Sequence, residues 1–361
     1  MNGRILLIHV NCVPPITGGE YAFFKIFEAL KVKYDVTNIS ACNIVRSFKS
    51  KYFWYIVKPI LILYPLFVKG RYDLIFTSWS RAFPFFGDVA YAQPPVGAKG
   101  EEGYRLPPKS RFYLLNAVAD AATWHWRKLF SRFSLKYHMF ISNSHETGRL
   151  IKMMLNKEGP VVYPPVPIQP SANLKRGREN LVVSIGTVIP EKRFELIAKV
   201  GPSVPEAKFF LVGALGERGG KIIAKIAESF QSAGLPNNFA YLGRVPDRDK
   251  GELLLKAKVY FHPAVNEPFG ISIVEGMAAG AIPVAHDSGG PREYVPREWL
   301  FKTAGEAEEK IKLALKAWSP NLASRMREIA LKFSEEKFKA RILKIVDKLI
   351  ALKRASGRKG G

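Results

Sequence analysis

The chain has 361 residues with a 47% apolar share, ordinary for a globular protein but longer than one hydrophobic core usually serves, so two domains are expected. Its formal charge of +24, from 55 Lys+Arg against 31 Asp+Glu, points to anionic partners: nucleotides, phospholipid head groups or nucleic acid. The two cysteines, Cys12 and Cys42, cannot by themselves form a disulfide framework or a zinc site, and free thiols in a reducing compartment are expected.

The opening MNGRILLIHVNC reads as a buried strand rather than a signal peptide, because it is short and soon turned by Pro14-Pro15. Further strands are predicted at 34–39, 73–78, 89–93 and 139–144, with helical patterns around 19–31 and 112–136. The most apolar run, Phe53 to Val68, is 16 residues long and broken by Lys58, Pro59 and Pro65. A bilayer span needs about 20 residues, so no transmembrane helix is expected. Residues 1–165 hold 22 basic and 10 acidic side chains and 29 of the 44 aromatics. That mixture suits a surface meeting lipid head groups, or else a large aromatic core under a lysine coat.

The break falls at Tyr163-Pro164-Pro165, followed by a polar, basic stretch from Gln169 to Asn180. Strands then recur at 180–186, 208–213, 239–243, 259–263 and 282–287, with turns at 201–205 and 234–238. Strand–helix alternation of this kind predicts an α/β protein with two doubly wound, Rossmann-like domains facing a cleft, and ligands at strand carboxyl ends. The expected boundaries are 1–165, 166–330, an amphipathic helix over 331–356 and a frayed tail at 357–361.

Chemistry-bearing residues concentrate in the second half. Glu267 and Glu275 stand eight positions apart around Pro268-Phe269-Gly270, and a small-residue helix is predicted from Ile271 to Gly280. One carboxylate then lies on a loop and one on a helix, with the N–H groups of Phe269, Gly270, Ile271 and Ser272 between them. Unpaired amides at a helix start bind anions. Carboxylates flanking such a cradle suit a ligand with hydroxyls at both ends and a diphosphate in the middle, as in a nucleotide-sugar. Upstream, Gly186-Thr187-Val188-Ile189-Pro190-Glu191-Lys192 follows a buried strand, where a lysine reaches a diphosphate as a point charge. Gly18-Gly19 follows the first strand but is no full G-x-G-x-x-G, which removes the main support for nicotinamide binding. His9 and His286 sit in predicted strands as core histidines, and His125 has no second ligand at metal spacing, so no metal is expected.

The E-x7-E pair with its flanks, SIGTVIPEK (184–192), VVYPP (161–165), the block Asn266–Pro291 and RMREIALKFSEEKF (325–338) together resemble the retaining GT-B glycosyltransferases of glycosyltransferase family 4. The resemblance extends especially to members that lengthen the lipid-linked oligosaccharide core of N-glycosylation from the cytosolic face. It covers the second half well and the first half in outline. It implies a GT-B fold in which domain 1–165 takes the acceptor, domain 166–330 takes the donor and the last helix returns to the first domain. In such a site Lys192 neutralises the leaving β-phosphate, Glu275 accepts from the two ribose hydroxyls and Glu267 contacts donor-sugar hydroxyls near the reacting carbon. Lys192 and Glu267 are thus the catalytic pair. Gly186 and Thr187 line the donor diphosphate together with Gly18 and Gly19, which the family sets against both donor and acceptor.

Two departures matter. Many members carry an arginine where Thr187 stands, and Arg193, Arg244 or a backbone N–H are the candidate replacements. Gln93 occupies a position often held by histidine; it hydrogen-bonds a sugar hydroxyl but cannot act as an imidazole. Arg127 and Lys128, within a basic, aromatic helical stretch at 109–137, are candidate acceptor-phosphate or membrane contacts, or the solvated face of an ordinary helix.

The expectation is a metal-independent, retaining transferase without a resident cofactor. It moves mannose from GDP-mannose to a lipid-linked glycan while bound peripherally to an anionic membrane on its cytoplasmic side, with no nucleic-acid partner. A soluble UDP-sugar-dependent enzyme of the same fold, acting on a sugar phosphate or polysaccharide, keeps every donor motif. A glycoside hydrolase has no use for the phosphate-binding lysine and helix start. A nucleic-acid-binding protein accounts for the charge, but the basic residues are dispersed and no binding motif is present.

Overall fold

The computed structural model describes residues 3–9, 18–40, 44, 53–80, 83–84, 87–92, 139–168, 174 and 177–357. Its contacts divide the chain into two compact units: residues Met1–Pro164 with Phe338–Gly361, and Pro165–Lys337.

In the first unit, strands β1 (Arg4–His9), β2 (Asp35–Ser40), β3 (Leu74–Ser80), β5 (Val89–Ala92) and β6 (Met139–Ser142) form a parallel sheet in the order β2-β1-β3-β5-β6, and β4 (Phe83–Pro84) pairs antiparallel with β3. The central strand β1 is almost continuously apolar because both its faces are covered, with Ile5, Leu6, Leu7 and Ile8 fully buried, whereas edge strand β2 (DVTNIS) is polar and largely unburied. Connectivity reverses between β1 and β3. Helix Gly18–Lys31 follows β1, and its Phe23, Ile26 and Leu30 enter the core beside Leu7, Phe76 and Tyr91.

The apolar run at 53–68 is an α-helix, Phe53–Val68. No helix among the described residues is long and apolar enough to cross a membrane. Leu61 and Val68 pack with Leu6, Ile8 and Ile75 on the sheet face opposite the main core, with Tyr64 against them.

The last helix, Glu335–Gly357, places Phe338, Ile342, Val346, Leu349 and Ile350 on one stripe and buries it in the first unit's core. Ion pairs from its polar side secure it: Lys339 to Glu28 at 3.1 Å, Lys353 to Asp88 at 2.8 Å and Asp347 to Lys33 at 2.7 Å.

In the second unit, β7 (Glu179–Ile185), β8 (Lys208–Val212), β9 (Phe239–Gly243), β10 (Ala257–His262), β11 (Ile282–His286) and β12 (Leu300–Phe301) are parallel in the order β12-β11-β10-β7-β8-β9. The chain runs outward from β7 through β8 to β9, then returns to the other side of β7 to continue through β10. The β7/β10 junction is therefore the topological switch point, where loops diverge and leave a crevice at the strand carboxyl ends. Helix starts follow local rules: Thr303 and Ser319 accept from the N–H groups of Glu306 and Leu322, with Pro320 at the first helical position.

Candidate functional site

Both strands of the second unit's switch point deliver functional side chains. β7 ends at Ile185, the chain turns through Gly186 and Thr187, and a 3-10 turn, Pro190–Lys192, aims Lys192 across to the β10 loop. β10 ends at His262, and the loop beyond it carries Glu267. Lys192 Nζ lies 2.5 Å from Glu267 Oε2, bringing together two residues 75 positions apart. His262 Nε2 lies 3.0 Å from the same oxygen.

Burial by itself would push the Glu267 carboxyl up, but the Lys192 charge and the His262 hydrogen bond outweigh it and hold the group well below the usual carboxylate range. An ionised carboxylate only accepts, so the His262 Nε2 carries the proton. His262 Nδ1 is buried with no partner, and burial lowers the imidazole pKa. His262 is thus a neutral donor that orients Glu267. Sequence reasoning missed it, although a histidine ending a buried strand five residues before Glu267 was a readable signal.

The loop carrying Glu267 is fastened from below by the second glycine pair. Gly289 has φ +65°, and a Cβ there would stand 2.3 Å from the Glu267 carbonyl oxygen, so only glycine fits. The Gly290 N–H donates to that carbonyl at 2.8 Å, and the Asn266 N–H donates to Ser288 Oγ at 2.7 Å. The buried Tyr294 hydroxyl donates to the Phe269 carbonyl at 2.5 Å. Gly270, with φ +88°, is the N-cap of helix Ile271–Ala278 and offers no capping side chain. Among the described residues no acceptor meets the N–H groups of Gly270, Ile271 and Ser272, which leaves these amides available to an anion.

Glu275 lies on that helix. Lys250 Nζ is 2.9 Å from Glu275 Oε1 and 3.0 Å from Asp247 Oδ1. Burial pushes the Glu275 carboxyl up and Lys250 offsets part of the rise. The Lys250 ammonium is partly buried, which alone would lower its pKa, yet Glu275 and Asp247 raise it, so it keeps its proton. Each glutamate therefore commits one oxygen to a lysine, and its second oxygen has no partner among the described residues. The geometry is that of two carboxylates, each with one acceptor in reserve, around a cation and a set of open amides.

The other candidates are distributed as follows. Thr187 is exposed and Gly186 directly follows β7. Arg193, next to Lys192, takes a left-handed conformation with φ 54° and bears electrostatically on His286. Arg244 follows edge strand β9, two strands from β7, and is exposed. Gly18 and Gly19 open the first helix of the other unit. Gln93, Arg127 and Lys128, with Cys12, Cys42, His125 and the helical pattern at 109–137, lie outside the described residues.

Residues 166–333 match the family described as Glycosyl transferases group 1. The match spans nearly all of the second unit, Pro165–Lys337. Curated relatives named GDP-Man:Man(3)GlcNAc(2)-PP-Dol alpha-1,2-mannosyltransferase are 30% identical over 213 residues in Dictyostelium discoideum, covering 53% of this chain and 42% of the relative. The Neurospora crassa relative of that name is 30% identical over 222 residues, covering 54% of this chain and 39% of its own length. The chain therefore spans about two-fifths of the length of these relatives. Among solved structures, sucrose-phosphate synthase from Thermosynechococcus elongatus superposes with a TM-score of 0.72 at 18% identity, covering 97% of this chain and 100% of the other. HepE from Anabaena, in complex with UDP and glucose, superposes with a TM-score of 0.65 at 18% identity, covering 96% and 100%. The fold is GT-B, two Rossmann-like parallel-sheet domains in succession, as the group 1 domain leads one to expect.

The neutral, buried His262 carries a pH signature. The unfolded chain protonates this histidine below about 6.5 while the folded chain resists, so stability falls as pH drops through that value. Glu267 has a lowered pKa, so its contribution is intact above about 4.5 and lost only at more acid pH. Between pH 8 and 5, urea midpoints of the wild type should fall, and His262→Gln, which keeps a donor for Glu267, should flatten part of that slope. His286, whose pKa burial also lowers, supplies a second share in the same direction. Superimposable wild-type and variant profiles would rule out a buried neutral His262.

Proposed function

We propose that the chain is a retaining mannosyltransferase that moves mannose from GDP-mannose to a lipid-linked glycan at the cytoplasmic face of a membrane. The observation that carries this reading is the meeting of Lys192 and Glu267 at the switch point beside unpaired helix-start amides, within a domain whose relatives are GDP-mannose-dependent enzymes by name. In the proposed reaction Lys192 and the amides of Gly270, Ile271 and Ser272 stabilise the charge that develops on the departing diphosphate. Glu275 Oε2 accepts from the ribose hydroxyls, and Glu267 Oε1 from the donor sugar. The leaving phosphate assists attack from the same face, and the protein supplies position and charge rather than a covalent nucleophile. The reaction needs no resident cofactor or metal, since the cation and amides meet the leaving charge. Arg193, adjacent to Lys192, is the better placed substitute for the arginine missing at Thr187. Gly18 and Gly19 serve the donor diphosphate as well as the acceptor, and Gln93 serves the acceptor side, with Arg127 and Lys128 toward its phosphate.

The test is transfer of labelled sugar from GDP-mannose, UDP-glucose and UDP-N-acetylglucosamine to an extracted lipid-linked oligosaccharide pool. Label from GDP-mannose alone is expected. Incorporation from a UDP-sugar, or into water-soluble polysaccharide only, would replace this reading by the soluble UDP-dependent one. Retardation of random duplex DNA that Glu275→Ala leaves unchanged would favour the nucleic-acid reading.

A further inference from the structure

Helix Phe53–Val68 presents two chemically similar but differently placed faces. Leu61, Pro65 and Val68 are buried, and Leu61 and Val68, with the partly buried Tyr64, pack toward the sheet. On the opposite side Ile60 is 60% exposed, Leu63 38%, Leu66 48% and Phe67 81%. Spacings of three and four among 60, 63 and 67 put these side chains on one stripe, and Leu66 widens it. Lone exposed apolar residues are normal on a surface, whereas a contiguous stripe of four large ones marks a contact face. Immediately beyond it, in the turn Lys69–Arg71, Lys69 and Arg71 are exposed cations. From Phe53 to Arg71 the chain contains no Asp or Glu.

We propose that this face, Ile60, Leu63, Leu66 and Phe67 with Lys69 and Arg71 at its end, lies in the surface of an anionic phospholipid bilayer and fixes the protein there. The charge pattern selects this occupant over a protein groove, because a stripe without acids that ends in two cations matches acyl chains bordered by anionic head groups. Length agrees: 16 residues containing Pro59 and Pro65 are too few to span and long enough to lie in the interface plane. The excess of basic over acidic side chains in residues 1–165, 22 against 10, adds longer-range attraction. The inference rests on the membrane-face reading above and names the surface that performs it.

The experiment is flotation of the full chain with vesicles of phosphatidylcholine alone and with 30% phosphatidylserine (about one anionic lipid in three). It compares wild type, Leu63→Glu/Phe67→Glu and Lys69→Glu/Arg71→Glu. Wild type should float with the anionic vesicles, and the apolar variant should lose at least about tenfold in partition coefficient. The charge variant should lose about 25-fold or more, roughly fivefold for each cation removed, on anionic vesicles only. GDP binding by calorimetry is measured on every variant and should be unchanged, which reports the second unit, and a thermal unfolding profile like the wild type's by circular dichroism reports that the first unit is folded. Wild type that binds GDP but does not float, or variants that float as wild type does, overturn the surface while leaving the donor site standing. Loss of a lipid-free dimer in the apolar variant, seen by size exclusion, assigns the stripe to a second copy and overturns it equally. Flotation as expected with no GDP binding in wild type overturns the transferase reading and keeps the lipid surface.

Discussion

Replacing Lys192 by methionine is expected to lower kcat/KM for GDP-mannose by roughly 100- to 1,000-fold, the loss that follows when one preorganised donor to developing charge is removed. The substitution keeps the aliphatic stem and deletes the ammonium, so the effect isolates charge. The same change should be felt without substrate. Glu267 is nearly buried, and Lys192 supplies the charge that keeps it ionised despite that burial. Breaking a buried pair by removing one partner is strongly destabilising, and with the Lys192 side chain still 29% exposed the expected cost is about 2–3 kcal/mol rather than the upper end of the range. Pairing Lys192→Met with Glu267→Gln should restore most of the stability, because a neutral amide no longer needs the cation, and should leave the activity low. Urea unfolding and steady-state kinetics on the four proteins of that cycle check both halves. A single Lys192→Met variant within a few-fold of wild-type kcat/KM would remove Lys192 from the chemistry.

The second large effect is on nucleotide affinity. Glu275→Ala should weaken GDP binding, measured by calorimetry, by roughly 100-fold or more, since hydrogen bonds to a charged acceptor contribute about 1.5–3 kcal/mol each and the ribose offers two donors. Lys250→Met separates orientation from contact. Burial already raises the Glu275 carboxyl and Lys250 opposes the rise, so removing the ammonium moves the pKa further up. The variant should bind GDP nearly as wild type does at alkaline pH and lose affinity as pH falls and the carboxyl takes a proton, whereas wild-type affinity should be flatter over the same range. UDP bound in preference to GDP would keep the site and change the donor. Undiminished GDP binding by Glu275→Ala would show that the ribose lies elsewhere.

Much of the site was legible because its parts are local. The strand–turn–lysine stretch at 184–192, the Glu267–Glu275 spacing and the helix start at Ile271 are each set within about ten residues, where glycine, proline and apolar periodicity act directly on backbone conformation. The supporting groups were not legible in the same way. Lys250 stands 25 residues before Glu275, and nothing in its DRDK context separates it from a solvated helix lysine. Tyr294 reaches back 25 residues to the Phe269 carbonyl, and the second glycine pair reads as a turn until Gly289 is found against the Glu267 backbone. The helix at 53–68 shows the same division: its length excluded a span, but which of its apolar side chains face the sheet and which face outward depends on packing.

By itself, then, the sequence determined the two-part α/β organisation, every strand except the short β4 and β12, the helix start at Ile271 and the placing of Glu267 on a loop and Glu275 on a helix. Short-range sterics and hydrophobic periodicity are enough to specify those. Only the tertiary structure decided that Lys192 and His262 converge on one oxygen of Glu267, that Lys250 takes one oxygen of Glu275, and which side chains of the last helix enter the first unit's core. Those contacts join residues brought together by strand order at the β7/β10 switch point and by burial of an amphipathic stripe. Partner choice there is made by the whole packed core rather than by any local stretch of chain.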